Sequence, residues 1–91
     1  MSEAKQETIV MYESNWCGYC RAARRLFDAK GWSYESRMVD GNAPLRAEMQ
    51  ERSGRTSVPQ IYFGEQHIGG YDDMAELESD GELEDAYAAN Q

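Results

Sequence analysis

The sequence has few of the features that mark membrane, secreted or nucleic-acid-binding proteins. Its uninterrupted apolar stretches, such as residues 9–12 and 61–63, are only a few residues long. A transmembrane helix needs roughly 18 apolar residues, and a secretory signal needs roughly 7–15. The formal net charge is −8 with one histidine, so the chain lacks the basic stripe that displaces counterions from nucleic-acid phosphates. We therefore expect a soluble, cytoplasmic protein that binds neither membranes nor nucleic acids.

Length and composition allow a single domain. The chain has 91 residues, of which 41% are hydrophobic and 11% are aromatic. This is enough for one small core, excludes a disordered acidic tail and leaves no room for a second domain. Residues 1–7 are polar and unpatterned, so we expect one domain over residues 1–91 that begins with a frayed terminus.

Basic residues are missing from the C-terminal part of the chain. All nine Lys and Arg residues lie within residues 1–55, whereas residues 56–91 carry nine of the 17 acidic residues. One interpretation is a solvated acidic face that keeps the protein soluble, and the other is a surface that prefers partners with basic patches. Composition does not separate the two.

Cysteine is also scarce, because the chain has two, both in the tetrapeptide Cys17-Gly18-Tyr19-Cys20. A secreted domain stapled by disulfides usually has four or more cysteines spread along its sequence. A bridge within four residues closes almost no loop and so removes little entropy from the unfolded chain. We therefore expect the pair to serve chemistry rather than structural stabilisation.

Turn residues and hydrophobic periodicity predict alternating strands and helices. The predicted strands cover residues 8–12, 33–39, 58–63 and 66–68, and the predicted helices cover residues 17–30, a segment that opens at Ala43-Pro44, and residues 72–79 and 82–89. A strand–helix–strand beginning implies a right-handed parallel crossover, and the later hairpin supplies antiparallel strands. The expected fold class is α/β, with helices on both faces of the sheet.

Cys17 and Cys20 fall where the first strand ends and the first helix begins. The free N–H groups of a helix N-terminus lower the pKa of a thiol placed there, so that the nucleophilic thiolate is present at neutral pH. Residues three apart on a helix have Cβ atoms about 5–6 Å apart, a separation that suits a reversible disulfide. We therefore predict that Cys17 attacks the substrate and that Cys20 resolves the product.

Two other interpretations of the cysteines have less support in the sequence. The first is that both pack as small hydrophobic residues, which gives no reason for their placement between a strand and a helix. The second is a zinc site, which needs four ligands. The chain offers two cysteines and the distant His67, so no metal is expected from the residues alone.

Three motifs resemble those of a known family. The first is Trp16-Cys17-Gly18-Tyr19-Cys20, which begins like thioredoxin, although Tyr19 stands where that family has proline. The second is Thr-Ser-Val-Pro-Gln-Ile at residues 56–61, and the third is His-Ile-Gly-Gly-Tyr-Asp-Asp at residues 67–73. Together they closely resemble a dithiol glutaredoxin of the small bacterial type, over nearly the whole chain.

This resemblance implies a thioredoxin-like fold with a four-stranded mixed sheet flanked by helices on both faces. It also implies a monomeric thiol–disulfide oxidoreductase with glutathione as its co-substrate. Its substrates would be glutathionylated mixed disulfides and protein disulfides, with ribonucleotide reductase as one client. A thioredoxin-type reductant that is independent of glutathione stays open as an alternative.

The resemblance further implies a glutathione site beside the cysteines. Its expected residues are Tyr19, Arg46, Ser57, Val58, Pro59, Tyr71, Asp72 and Asp73. A cis Val58–Pro59 bond would leave the Val58 backbone free to pair with an extended tripeptide. Asp72 or Asp73 would cap the next helix, whose N–H groups suit the γ-glutamyl carboxylate, and Asp73 would meet the adjacent ammonium group. Tyr19 would flank the peptide, and Arg46 would contact the glycyl carboxylate.

Two positions depart from the family pattern. Ser14 stands three residues before Cys17, where many relatives have a Lys or Arg that contacts the glycyl carboxylate, so we expect weaker glutathione binding. Gly18 stands where dithiol glutaredoxins most often have proline. Some relatives without that proline share a [2Fe-2S] cluster between two chains. A dimer in which Cys17 and glutathione thiols hold such a cluster is therefore a second alternative.

Overall fold

The computed structural model describes residues 8–91, so the frayed terminus predicted for residues 1–7 lies outside the described residues. Its elements, in chain order, are β1 (Ile9–Glu13), α1 (Gly18–Lys30), β2 (Tyr34–Met38), α2 (Ala43–Ser53), β3 (Gln60–Phe63), β4 (Gln66–Gly69), α3 (Tyr71–Ser79) and α4 (Leu83–Ala89). This is the predicted order of elements. Among the residues described, no helix has both the length and the apolar character needed to cross a membrane.

The four strands form one mixed sheet in the order β2-β1-β3-β4. β1 and β2 are parallel and are connected through α1, whereas β1 pairs antiparallel with β3, and β3 pairs antiparallel with β4. In this register Ile9 of β1 lies between Tyr34 of β2 and Phe63 of β3. The predicted four-stranded mixed sheet is confirmed.

β1 divides the core, because successive side chains of a strand point to opposite faces of the sheet. Ile9 and Met11 are fully buried in the larger cluster, which α1, α3 and α4 complete. The helical residues of that cluster are Ala23, Phe27, Met74 and Leu83. Tyr12 packs on the other face with Met49 of α2. Helices therefore cover both faces, as predicted.

Most predicted boundaries differ from the observed ones by one or two residues, and two of these shifts have identifiable reasons. β3 begins at Gln60 rather than at residue 58, because Pro59 has no N–H to donate to a strand ladder. α3 begins at Tyr71 with Gly70 as its N-cap residue. The Gly70 N–H donates to Asp73 Oδ2 at 2.9 Å, so Asp73 caps the helix from within its first turn and Asp72 does not take that role.

The segment before α1 is fixed to the loop that follows β2. Because β1 and β2 are parallel, their carboxyl ends lie at the same edge of the sheet. There Ser14 Oγ donates to Asp40 Oδ1 and the Asn15 N–H donates to Asp40 Oδ2, each at 2.8 Å. These bonds lower the pKa of Asp40, the bond from Asn15 most of all. The result is a positioned loop that leads directly into Cys17.

Candidate active site

Cys17 is the N-cap residue of α1. Its backbone is extended, with φ −120° and ψ 117°, and its Sγ accepts a hydrogen bond from the Cys20 N–H at 3.2 Å. The side chain is partly exposed. Its Sγ also lies 3.7 Å from the Val58 carbonyl oxygen, to which the protonated thiol donates. The structure thus places a reachable sulfur at the helix N-terminus, as predicted.

Cys20 lies one turn into α1 and is fully buried. Burial, followed by the hydrogen bond with Cys17 and, to a smaller extent, the charge of Glu13, raises the pKa of its thiol to about 12. Cys20 is therefore a protonated thiol at neutral pH and is closed to a bulky substrate. Both cysteines are free thiols in this structure.

A buried ion pair lies next to Cys20, and the sequence reasoning missed it. Glu13, the last residue of β1, is 2% exposed and pairs with Arg24 of α1. Ser36 of β2 donates a second hydrogen bond to the same carboxylate. Arg24 is four residues after Cys20, so the two side chains lie on one face of the helix. An acidic residue that ends an apolar strand was the only sequence signal for this pair.

The Val58–Pro59 peptide bond is cis, as the resemblance implied. Pro59 is buried, while Val58 is half-buried. The Val58 carbonyl faces Cys17, and β3 begins one residue after Pro59. The backbone before β3 therefore lies directly beside the reachable sulfur.

A cavity of about 220 Å³ opens beside this backbone. The residues that line it are Tyr19, Arg55, Ser57, Val58, Pro59, Gly70, Tyr71, Asp72 and Asp73. Seven of the eight residues expected to bind glutathione are in this set. The ring of Tyr19 stacks on that of Tyr71 with centroids 6.4 Å apart, so α1 and α3 meet at the cavity rim.

Arg46, the eighth expected residue, does not line the cavity. It lies in the first turn of α2, where its backbone N–H donates to the Asn42 carbonyl at 3.0 Å. Its charge makes a minor contribution to lowering the pKa of Asp40, after the hydrogen bonds from Asn15 and Ser14. The structure therefore places Arg46 near the loop after β2 rather than among the residues that line the cavity.

Arg55 supplies the cavity's cationic group, and the sequence reasoning missed it. Its Nη1 lies 2.9 Å from Asp73 Oδ2, and this contact, followed by the Gly70 N–H, lowers the pKa of Asp73. Asp73 is therefore less available to an ammonium group than the sequence predicted, because its Oδ2 already has two protein partners. The Arg directly before Thr56 and Ser57 was the available signal.

Gly69 permits this arrangement. Its φ is 114°, and a Cβ added there would lie 2.3 Å from Asp73 Oδ2. A side chain at residue 69 would therefore displace the carboxylate that caps α3 and pairs with Arg55.

Residues 8–91 of one chain do not by themselves supply a metal site. Within residues 8–91, no three His, Cys, Asp or Glu side chains are arranged to hold a metal ion. A [2Fe-2S] cluster needs four ligands, and Cys20 is fully buried. The alternative of a shared cluster would therefore depend on a second chain and on glutathione thiols.

Comparisons with known proteins agree on one family. The model of the glutaredoxin family matches residues 9–68. The chain is 46% identical over 76 residues to glutaredoxin 3 of Escherichia coli K12, an alignment that covers 84% of this chain and 92% of that protein. It is also 43% identical over 76 residues to a glutaredoxin of Pseudomonas aeruginosa. That alignment covers 84% of this chain and 90% of that protein.

Solved structures show the same likeness. A buckwheat glutaredoxin in complex with glutathione superposes with a TM-score of 0.83 at 29% identity, over 91% of this chain and 78% of that one. The solution structure of a glutaredoxin from Brucella melitensis gives a TM-score of 0.76 at 38% identity, over 92% and 91%.

Proposed function

The chain belongs to the glutaredoxin family of thiol–disulfide oxidoreductases, and from this premise we propose that glutathione is its co-substrate and that it reduces glutathionylated proteins and protein disulfides. One observation supports the proposal most strongly. The reachable Cys17 sulfur lies 3.7 Å from the carbonyl oxygen of Val58, and Val58 lines the cavity. A tripeptide in that cavity would hold its thiol beside Cys17.

The proposed glutathione-binding site uses backbone and charged groups of the cavity. The Val58 backbone pairs with the extended tripeptide as an added strand would. The N–H groups at the start of α3 face the γ-glutamyl carboxylate, and Asp72 with Asp73 faces its ammonium group. Arg55, rather than Arg46, is the cation that we assign to the site, because Arg55 lines the cavity.

Reduction of a glutathionylated protein takes two exchanges at Cys17. The Cys17 thiolate attacks the glutathione sulfur, a Cys17–glutathione disulfide forms, and the disulfide bond between the glutathione sulfur and the protein sulfur breaks. The protein thiolate leaves and takes a proton from solvent. A second glutathione thiolate then attacks the bound glutathione sulfur, which releases glutathione disulfide and restores the Cys17 thiolate.

Protein disulfides need Cys20 as well. Cys17 forms a mixed disulfide with one substrate sulfur, and the other substrate sulfur leaves as a thiol. Cys20 then loses its proton and attacks Cys17 Sγ, which expels the remaining substrate thiol and closes the Cys17–Cys20 disulfide. Two glutathione molecules reduce that disulfide and become glutathione disulfide.

A coupled assay with two alternative reductants tests the proposal. Glutathione with glutathione reductase should support turnover of a glutathionylated peptide, and thioredoxin reductase should not. Cys17→Ser should abolish turnover, whereas Cys20→Ser should keep deglutathionylation and lose the reduction of protein disulfides. Turnover with thioredoxin reductase alone would instead identify a thioredoxin-type reductant.

The cellular setting belongs to the same proposal. We propose a cytoplasmic monomer for which ribonucleotide reductase is one substrate protein, on the basis of the family resemblance. A visible absorption spectrum of protein purified without oxygen, together with its elution volume, tests the alternative of a dimer that shares an iron–sulfur cluster.

A further inference from the structure

Trp16 is the most exposed large hydrophobic residue among residues 8–91. Its exposure is 91%, and the only other large hydrophobic residue exposed to a comparable extent is Tyr19, at 62%. The two flank Cys17, the one cysteine that a substrate can reach. By contrast, the second tryptophan, Trp32, is packed, with its ring stacked 4.0 Å from that of Tyr87. Exposed aromatic surface is therefore concentrated at the reactive sulfur.

The two exposed rings have different surroundings. Tyr19 lines the cavity and stacks on Tyr71, so glutathione accounts for its position. Trp16 does not line the cavity. Its backbone N–H donates to Ser14 Oγ at 3.4 Å, and Ser14 in turn is bound to Asp40. Trp16 thus combines a fixed backbone with an uncovered ring, which are the properties of a preorganised contact residue.

We propose that Trp16 binds the polypeptide half of a glutathionylated substrate, by packing against an apolar side chain next to the modified cysteine. This inference rests on the proposed function. A mixed disulfide has two halves, and with glutathione in the cavity the polypeptide must cover the remaining surface around Cys17. The polypeptide stays on that surface until the Cys17–glutathione disulfide has formed and the polypeptide thiolate has left.

The acidic residues of the protein indicate the charge of the polypeptide that Trp16 would bind. Residues 56–91, which form β3, β4, α3 and α4, carry nine acidic residues and no Lys or Arg. This segment also supplies Tyr71 and Asp72 to the cavity rim. Three of the acidic residues, Asp73, Glu78 and Glu84, form ion pairs with Arg55 or Lys30. The other six attract an approaching polypeptide of positive charge and repel a negative one. The partner is therefore a cationic polypeptide with an apolar residue beside its glutathionylated cysteine.

A double-mutant cycle between protein and peptide tests the role of Trp16. Two glutathionylated peptides carry the same number of lysines and differ by Phe or Gly next to the cysteine. Trp16→Ala should lower kcat/KM about tenfold for the Phe peptide, the loss typical of truncating an interface aromatic, and less than about twofold for the Gly peptide. Trp16→Phe should restore most of the loss. Gln50→Ala, a change at an exposed position of α2, serves as the matched control.

Equal losses on the two peptides, or no loss on either, would overturn the assignment of Trp16. Wild-type turnover of the Gly peptide measures the proposed function separately, and its absence would overturn that function and this inference with it.

Replacing the peptide lysines with glutamates should lower kcat/KM for the wild type and for Trp16→Ala, most strongly at low ionic strength. Equal rates at low salt would overturn the cationic half of the inference.

Discussion

Arg55 and Asp73 join the two walls of the cavity through a contact of 2.9 Å between Nη1 and Oδ2. Arg55 precedes β3, and Asp73 lies in the first turn of α3. The same carboxylate oxygen accepts the Gly70 N–H. Asp73 therefore forms both the ion pair at the cavity and the hydrogen bond at the start of α3.

Arg55→Ala should weaken glutathione binding more than Arg46→Ala. Arg55 lines the cavity, and losing a partly exposed cation that faces an anionic ligand should raise KM for glutathione by roughly fivefold to tenfold, with little change in kcat. Steady-state kinetics with glutathione as the varied substrate measure this. Arg46→Ala is the matched control, and a larger rise in its KM would show that the glycyl carboxylate binds at α2.

The step that closes the Cys17–Cys20 disulfide should accelerate with pH. Burial raises the pKa of Cys20 to about 12, so its thiolate fraction grows about tenfold per pH unit between pH 7 and 9. Rapid quenching of a preformed Cys17–glutathione disulfide, with glutathione release as the signal, measures the rate of closure. A rate that does not change over this range would show that Cys20 ionises much more readily than its burial indicates.

Ser14→Lys should increase the affinity for glutathione by about threefold, because it adds a cation near an anionic ligand at low salt. Asp40 limits the gain, since it already accepts hydrogen bonds from Ser14 and Asn15 and would attract the new ammonium group. Adding Asp40→Asn to Ser14→Lys should therefore increase affinity further. Calorimetric titration with glutathione at two salt concentrations tests both steps, and unchanged affinity in the double variant would contradict the electrostatic explanation.

Arg24→Ala should lower the free energy of unfolding by about 3 kcal/mol, because it leaves the charge of Glu13 buried without an ion-pair partner. Arg37→Ala is the matched control. Both arginines are 29% exposed, but Glu13 is 2% exposed, whereas the two partners of Arg37, Glu35 and Glu48, are 44% and 42% exposed. The control should therefore cost no more than about 1 kcal/mol. Urea unfolding measures both, and equal losses would show that the burial of Glu13 does not set the cost.

Local patterns were sufficient to predict much of this molecule. The apolar strand before Cys17 and the helical spacing after it are short-range signals, and they were sufficient to predict β1, α1 and their junction. α1 ends at Gly31, whose positive φ of 73° is typical of a glycine that ends a helix. The cis bond at Val58–Pro59 came from the resemblance alone, because no local property of an X–Pro pair distinguishes it from the common trans form.

The features that were missed depend on contacts between distant segments. Arg55 and Asp73 are 18 residues apart and meet because the β3–β4 hairpin lies between them. Glu13 looked like the polar end of a strand, and its burial depends on Arg24 and Ser36 from two other elements. Arg46 matched a family position in sequence, but α2 packs on the sheet through Met49 and holds Arg46 outside the set of residues that line the cavity.

The most direct test of the central claim is to alkylate the reduced protein with a limiting amount of iodoacetamide at pH 7 and to locate the modified cysteine by peptide mass spectrometry. We predict modification of Cys17 and not of Cys20, because Cys17 is partly exposed whereas Cys20 is fully buried. Modification of Cys20 ahead of Cys17, or of neither cysteine, would contradict the assignment of Cys17 as the nucleophile.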